Sequence, residues 1–166
     1  MTRSLAAIGL GANLGDASAT LTTALAELAQ LPDSALEATS PFYRSAPIDA
    51  DGPDYLNAVA LLRTGLPPLA LLAELQRVEA RHGRERGYRN APRTLDLDLL
   101  VYDELRLATP ALTLPHPRMH ERAFVLRPLA DVAPELSIPG RGAVSEWLPR
   151  VVDQRVEKIR VEKIEP

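Results

Sequence analysis

The chain has 166 residues and a formal net charge of -3, with 46% hydrophobic and 25% charged residues, the make-up of one soluble globular domain with a real core. Only two of its 19 basic residues are lysines, Lys158 and Lys163, so the body of the chain has no Walker A loop, kinase-type strand lysine or Schiff-base lysine. Cysteine is absent, no apolar run reaches the ~18 residues of a membrane span, and a pI of about 5.6 argues against general nucleic-acid binding, so the chain reads as a cytosolic protein without disulfides or thiolate chemistry.

Leu5 to Leu10 is a short apolar run ending in Gly9 and Gly11, a first strand. Asp16 or Ser18 caps a helix through Leu21, Leu25 and Leu28, which Pro32 and Asp33 end. A second strand is expected from about Leu36 to Tyr43, then a loop over 46–54, then a strand from Tyr55 to Leu62. Pro67 and Pro68 suit the first turn of a helix reaching about His82. Residues 83–94 form a polar, Arg-rich loop, and Leu95 to Tyr102 is the clearest strand. A short strand near Leu112 to Leu114 meets Pro115, and a helical stretch follows around Glu121 to Ala130. The order β-α-β-β-α-β predicts an α+β, ferredoxin-like antiparallel sheet with helices on one face, plus a small helical C-terminal part. One domain over 1–166 is expected. Its tail repeats Arg-Val-Glu-Lys-Ile in tandem at 155–159 and 160–164, read as a final strand and a polar extension.

The sharpest feature is Asp96 and Asp98 in Thr-Leu-Asp-Leu-Asp-Leu-Leu-Val-Tyr. Residues two apart on a strand share a face, with Cα atoms about 6.6 Å apart. Leu95, Leu97, Leu99 and Val101 fill the other face, and Leu100 and Tyr102 continue the Asp face as apolar. Two like charges on a buried strand cost several kcal/mol unless compensated, and a divalent cation resolves the conflict. Such a pair can hold one Mg²⁺, or two about 3.5–4 Å apart. The bland alternative is a strand whose acids face water.

Six arginines follow one another from Arg77 to Arg93: Arg77, Arg81, Arg84, Arg86, Arg89 and Arg93. Guanidinium groups grip phosphate oxygens bidentately. Beside a metal-binding acid pair they supply what phosphoryl transfer needs. Arg77 and Arg81 instead fit Glu–Arg pairing on a helix face. Gln76 and Glu79 lie at the edge of that helix's apolar face, within reach of a ligand or simply at a boundary.

His116 and His120 have the i,i+4 spacing of a metal pair. Pro117, however, suits the first position of a helix, which puts His116 at a cap, where it would meet phosphate. Gly9, Gly11 and Gly15 resemble a dinucleotide loop with the last glycine one place late, and the repeated parallel βαβ units are missing. A tight strand-to-helix turn near a ligand fits better. Tyr55, Asn57 and Phe124 suit a flat heterocycle, since a ring face stacks and an amide both donates and accepts along one edge. Taken singly, each is also an ordinary packing residue.

Taken together, GANLGD, SPFYRSAPI, DYLNAV, the stretch from Gln76 to Arg86, PRTLDLDLL and LPHPRMHERAFVLRPL resemble the 6-hydroxymethyl-7,8-dihydropterin pyrophosphokinase family over about residues 4–138. The resemblance implies a ferredoxin-like fold and transfer of the terminal diphosphate of ATP to the hydroxymethyl group of the dihydropterin, in folate biosynthesis. It implies two Mg²⁺ on Asp96 and Asp98, with ATP as co-substrate. Arg84 and Arg93 would assist the transfer. Nucleotide contacts would fall on Gln76, Glu79, Arg86, Arg93, Leu99, Thr113, His116 and Arg122, and the pterin on Ser45, Ala46, Ile48, Tyr55, Asn57 and Phe124. The partners expected are small molecules, not nucleic acid or membrane, and the expected state is a monomer in the cytoplasm. The sequence departs from the family where relatives carry Trp-Gly before Pro-Arg and this chain has Asn90-Ala91; Tyr88 is the candidate to replace that Trp. Pro117 stands where some relatives have an aromatic. The two rival readings are a metal-dependent phosphohydrolase on Asp96 and Asp98, and a non-catalytic ferredoxin-like ligand sensor.

Overall fold

The computed structural model describes residues 3–13, 16–46, 54–82 and 95–159. Ten strands and four α-helices follow one another along these segments. The main sheet is made of β1 (Ser4–Ala12), β2 (Ser34–Thr39), β3 (Tyr43–Ser45), β4 (Tyr55–Thr64), β5 (Asp96–Tyr102) and β10 (Val156–Lys158). The strand order is β10-β3-β4-β1-β5, with β2 also pairing β4, and every pairing is antiparallel. Helix α1 (Ala17–Leu28) joins β1 to β2, and α2 (Pro68–Arg81) joins β4 to β5. Each crossover skips one place in the sheet, and a strand of the other unit fills it. This is the split βαβ arrangement of the ferredoxin-like fold.

Local sequence explains the elements. The Asp16 carboxylate accepts from Ala19 N–H and caps α1. Pro68 begins α2, where its missing N–H removes no helical bond. The expected strand over 36–43 is two strands: Pro41 has no N–H to donate, so the ladder stops after Ser40, whose backbone N–H reaches Val59 O at 2.9 Å. The hydroxyl of Ser40 also accepts from Val59 N–H at 2.9 Å, which keeps β2 and β3 on the same edge of β4.

The sheet has helices on both faces, not on one. Ala6, Ile8 and Leu10 of β1, Ala58, Ala60 and Leu62 of β4 and Leu97 and Leu99 of β5 pack with Leu21, Leu28, Leu71 and Leu75 of α1 and α2. Each large side chain buried there stabilises by about 1.5–3 kcal/mol. The alternate residues Ala7, Val59, Leu61, Leu100 and Val101 pack with Val125, Leu126 and Leu129 of α3 (Ala123–Val132) and Val144 of α4 (Val144–Trp147). The predicted C-terminal helical part therefore forms a second layer. Two pairs of two-residue strands complete it: β6 (Leu107–Ala108) with β7 (Thr113–Leu114), and β8 (Ser137–Ile138) with β9 (Gly142–Ala143).

Strand β10 holds the first copy of the tail repeat against β3, with Val156 opposite Ser45 and Lys158 opposite Tyr43. The Lys158 ammonium lies 3.6 Å from the Asp131 carboxylate and 5.7 Å from the centre of the Tyr43 ring. The Tyr43 hydroxyl donates to the same carboxylate. Burial and that carboxylate both raise the Tyr43 pKa, so the phenol stays protonated.

Candidate active site

Strand β5 pairs with β1 so that Asp98 stands opposite Gly9 and Asp96 opposite Gly11. The register shifts between Ala7 and Ile8, leaving Leu100 as an extra residue. This β-bulge corrects the simple alternation expected from the sequence. Leu100 and Val101 both face α3, and Tyr102 returns to the α1–α2 side. Asp96 and Asp98 share the α3 face, as the period-two spacing requires, but beyond the part that α3 covers. Asp96 is half-buried and Asp98 exposed, so the pair opens to solvent and is not enclosed.

Gly9 and Gly11 lie within β1 and not in the turn after it, which corrects the reading of that segment. Their value is on the sheet surface. A Cβ at Gly11 would stand 3.5 Å from the Asn57 side-chain oxygen and 3.9 Å from the Tyr55 ring, filling the space before both. Opposite Gly11 on the other side is Asn57, and opposite Asn57 is Tyr43. One row across four strands thus reads Asp96, Gly11, Asn57, Tyr43. Asn57 is 4% exposed and its amide donates to Ser45 Oγ at 2.7 Å, which fixes the amide's orientation. Ala46 is exposed just past β3, and Tyr55 is half-buried opposite Ser45. Phe124, on the first turn of α3, packs over this same face.

Glu79 is 5% exposed, and one carboxylate oxygen accepts from Leu97 N–H at 2.8 Å. Leu97 stands between the two aspartates on the outermost strand, so Glu79 holds the outer edge of β5 in place. Gln76 lies one turn earlier on α2 and is exposed. The Leu99 side chain is 3% exposed within the α1–α2 core, which leaves only its backbone to face a ligand.

His116 does not cap a helix, because residues 117–118 form a turn and a 3-10 turn spans Met119–Glu121 before α3 begins at Ala123. Its backbone N–H donates to Leu100 O at 2.8 Å, tying this segment to β5. Nδ1 accepts from Arg118 N–H at 3.2 Å, so the neutral ring carries its proton on Nε2 as a donor. Burial holds the His116 pKa below its usual value. Asp98 opposes that shift, while Arg122, Arg118 and Arg141 reinforce it. Arg122 lies 5.5 Å from the Phe124 ring centre. Thr113 is exposed on β7. His120 meets Trp147 edge-on at 4.8 Å between ring centres. Among the described residues no group of three or more His, Asp or Glu could hold a metal unaided.

Arg84, Arg86, Arg93 and Ile48 lie outside the described residues, as do Tyr88, Asn90 and Ala91. Asp96, Asp98, His116, Arg122 and Phe124 come together at one end of the sheet, with Tyr55 and Asn57 two strands away and Ser45 three strands away on the same face. Arg118 and Arg141 around His116 were not singled out from the sequence. Arg118 had a signal in its place beside His116 and Pro117; Arg141, far along the chain, had none.

The chain is similar to known proteins in sequence and in fold. Residues 7–134 match the family model described as 7,8-dihydro-6-hydroxymethylpterin-pyrophosphokinase (HPPK). The chain is 43% identical over 153 residues to the 2-amino-4-hydroxy-6-hydroxymethyldihydropteridine pyrophosphokinase of Haemophilus influenzae, covering 92% of this chain and 96% of the relative. The Bacillus subtilis protein of the same name is 38% identical over 133 residues, 80% of each chain. In fold, the chain is similar to the Plasmodium falciparum HPPK-DHPS crystal structure with SDX-DHP, with a TM-score of 0.72 at 14% identity, over 90% of this chain and 44% of that one.

Proposed function

The chain belongs to the 7,8-dihydro-6-hydroxymethylpterin-pyrophosphokinase family and is a diphosphotransferase of folate biosynthesis, and we propose that it runs this reaction from the α3 face of the sheet, with Mg²⁺ on Asp96 and Asp98. ATP is the donor, 6-hydroxymethyl-7,8-dihydropterin the acceptor, and AMP and the pterin diphosphate the products. The observation that carries the site assignment is the row Asp96, Gly11, Asn57. Acid pair and amide stand two strands apart, about 10 Å by strand spacing, with a glycine floor between them. That span is of the order of a bicyclic ring with a one-carbon arm.

The donor set fits the metal. Mg²⁺ takes oxygen ligands and is commonly held by one or two carboxylates, with substrate phosphates and waters completing its shell. Asp96 and Asp98, on one strand face, supply carboxylate oxygens of this kind. Bound there, two such ions would neutralise phosphate charge and lower the pKa of the pterin hydroxyl.

The chain's own residues do the rest. The Asn57 amide, aimed by Ser45, reads one edge of the pterin, while Tyr55, Ala46, Ile48 and Phe124 border its ring. This lines up the hydroxymethyl arm with the phosphate end of the site, which is worth a large part of the barrier. Nε2–H of neutral His116 and the Arg122 guanidinium donate to phosphate oxygens, with Thr113, Gln76 and the Leu99 backbone on the nucleotide side. Glu79 serves the nucleotide by holding β5. Arg84, Arg86 and Arg93 counter the negative charge of the moving diphosphate. The chain acts as a single cytoplasmic domain and a monomer.

Incubation with ATP, Mg²⁺ and hydroxymethyldihydropterin tests this. AMP and a diphosphorylated pterin are expected. Phosphate released without pterin would support a phosphohydrolase, and binding without turnover a sensor. Arg84→Ala should lower turnover more than ATP affinity; the reverse pattern would move Arg84 from transfer to binding.

A further inference from the structure

The described arginines differ in their partners. Arg3, Arg44, Arg63, Arg77 and Arg81 each meet a carboxylate within 4.0 Å. Arg118, Arg122 and Arg141 meet none among the described residues, and the charge of each lowers the pKa of the half-buried His116. Three positive charges against the one negative charge of Asp98 leave this place net positive, where an anion is expected. His116 and Arg122 belong to the phosphate side of the site proposed above. Arg141 comes from another part of the fold.

Arg141 sits at the tip of the β8–β9 turn, between Gly140 at φ +79° and Gly142 at φ +96°. Both conformations favour glycine. Its N–H donates to Ile138 O at 2.8 Å, and its carbonyl accepts from Trp147 Nε1 at 3.0 Å. The backbone is thus fixed on both sides before any ligand arrives. The side chain reaches across to His116, where Nη1 donates to the backbone carbonyl at 3.4 Å. That long contact to a neutral acceptor occupies one of five guanidinium donors. The others remain for a multivalent anion.

We infer that Arg141 is a further polyphosphate-binding residue, which the C-terminal hairpin delivers to the His116–Arg122 side of the site. The inference rests on the diphosphotransfer reading, since that supplies the polyphosphate. The layer beyond α3 then does more than cover the sheet, because it completes the phosphate site.

The test uses the full chain and two probes, MgATP and inorganic tripolyphosphate, with binding followed by calorimetry. Arg141→Gln should weaken both about tenfold, the loss of one charge-assisted contact. Binding of 6-hydroxymethylpterin and the thermal midpoint should not change, and Arg141→Lys should recover part of the affinity. Arg150→Gln, a nearby arginine 4.6 Å from the Trp147 ring centre, should have no effect. Unchanged tripolyphosphate binding in Arg141→Gln would overturn the inference and leave the diphosphotransfer reading intact. Equal losses for phosphate and pterin probes would also overturn it, by showing a structural role. Failure of the wild-type chain to bind MgATP would instead overturn the diphosphotransfer reading, and this inference with it.

Discussion

The two faces of the main sheet are built from the same strands and do different work. Toward α1 and α2, Ile8, Leu10, Leu62, Leu97 and Leu99 make a continuous apolar layer, each 5% exposed or less. Toward α3, the residues between them change along the strand. Ala7, Leu61 and Leu100 are apolar where α3 covers them, and Asp96, Asp98, Gly11 and Asn57 follow where it does not. One layer holds the strands together so that alternate residues on the other can afford charge and empty space. The strand period of two lets both jobs be written into one segment.

This division can be broken by substitution. The largest effect is expected from Asp96→Ala and Asp98→Ala, each lowering turnover by orders of magnitude while the urea midpoint holds or rises, because two like charges are relieved. Near-normal Mg²⁺-dependent turnover in both would remove the acid pair from the mechanism. Leu62→Ala should do the opposite. It should cost about 2–5 kcal/mol of stability, read by urea unfolding, with kcat per folded molecule little changed.

Glu79→Ala tests the boundary between the two faces. It strips the edge of β5 of a buried acceptor, at about 1–3 kcal/mol, and loosens the strand that carries both aspartates. Stability and turnover should fall together, with Glu79→Gln restoring part of each. If only ATP affinity fell, Glu79 would act on the nucleotide directly.

A smaller effect concerns pH on the α3 side. Burial and Arg141 lower the His120 pKa, Glu121 raises it, and its ring meets Trp147. A histidine with a lowered folded pKa is kept neutral in the native state, so the unfolded chain binds more protons as pH falls through about 6.5. Stability should therefore fall from about pH 7 to about pH 5.5, and His120→Gln should show a smaller fall. An equal fall in both proteins would exclude His120 as the cause.

Much of this was legible in the sequence because it depends on local spacing. The alternation around Asp96 and Asp98, the prolines opening α2 and the strand through Asn57 each follow from a few neighbouring residues. What escaped depends on partners distant in sequence. The extra residue at Leu100 exists only relative to β1, and the Ser40–Val59 link that splits one expected strand needs β4 beside it. Gly9 and Gly11 look like turn residues until the side chains they make room for are in place. Pro117 points to a helix cap at His116, whereas the segment is held by Leu100 and forms a turn. The arginine at the hairpin tip carries no local signature at all.

The tail has one more consequence. The residues that fasten β10 to Tyr43, Arg44 and Asp131 are Val156, Glu157 and Lys158, and the same three residue types recur five places on, at 161–163. A slide by five would present identical side chains to the same strand, so the edge has a spare key cut to the same lock. Lys158→Ala alone should then cost under about 0.5 kcal/mol, and Lys158→Ala with Lys163→Ala about 1 kcal/mol. Equal losses from the single and double variants would show that only the first copy can serve.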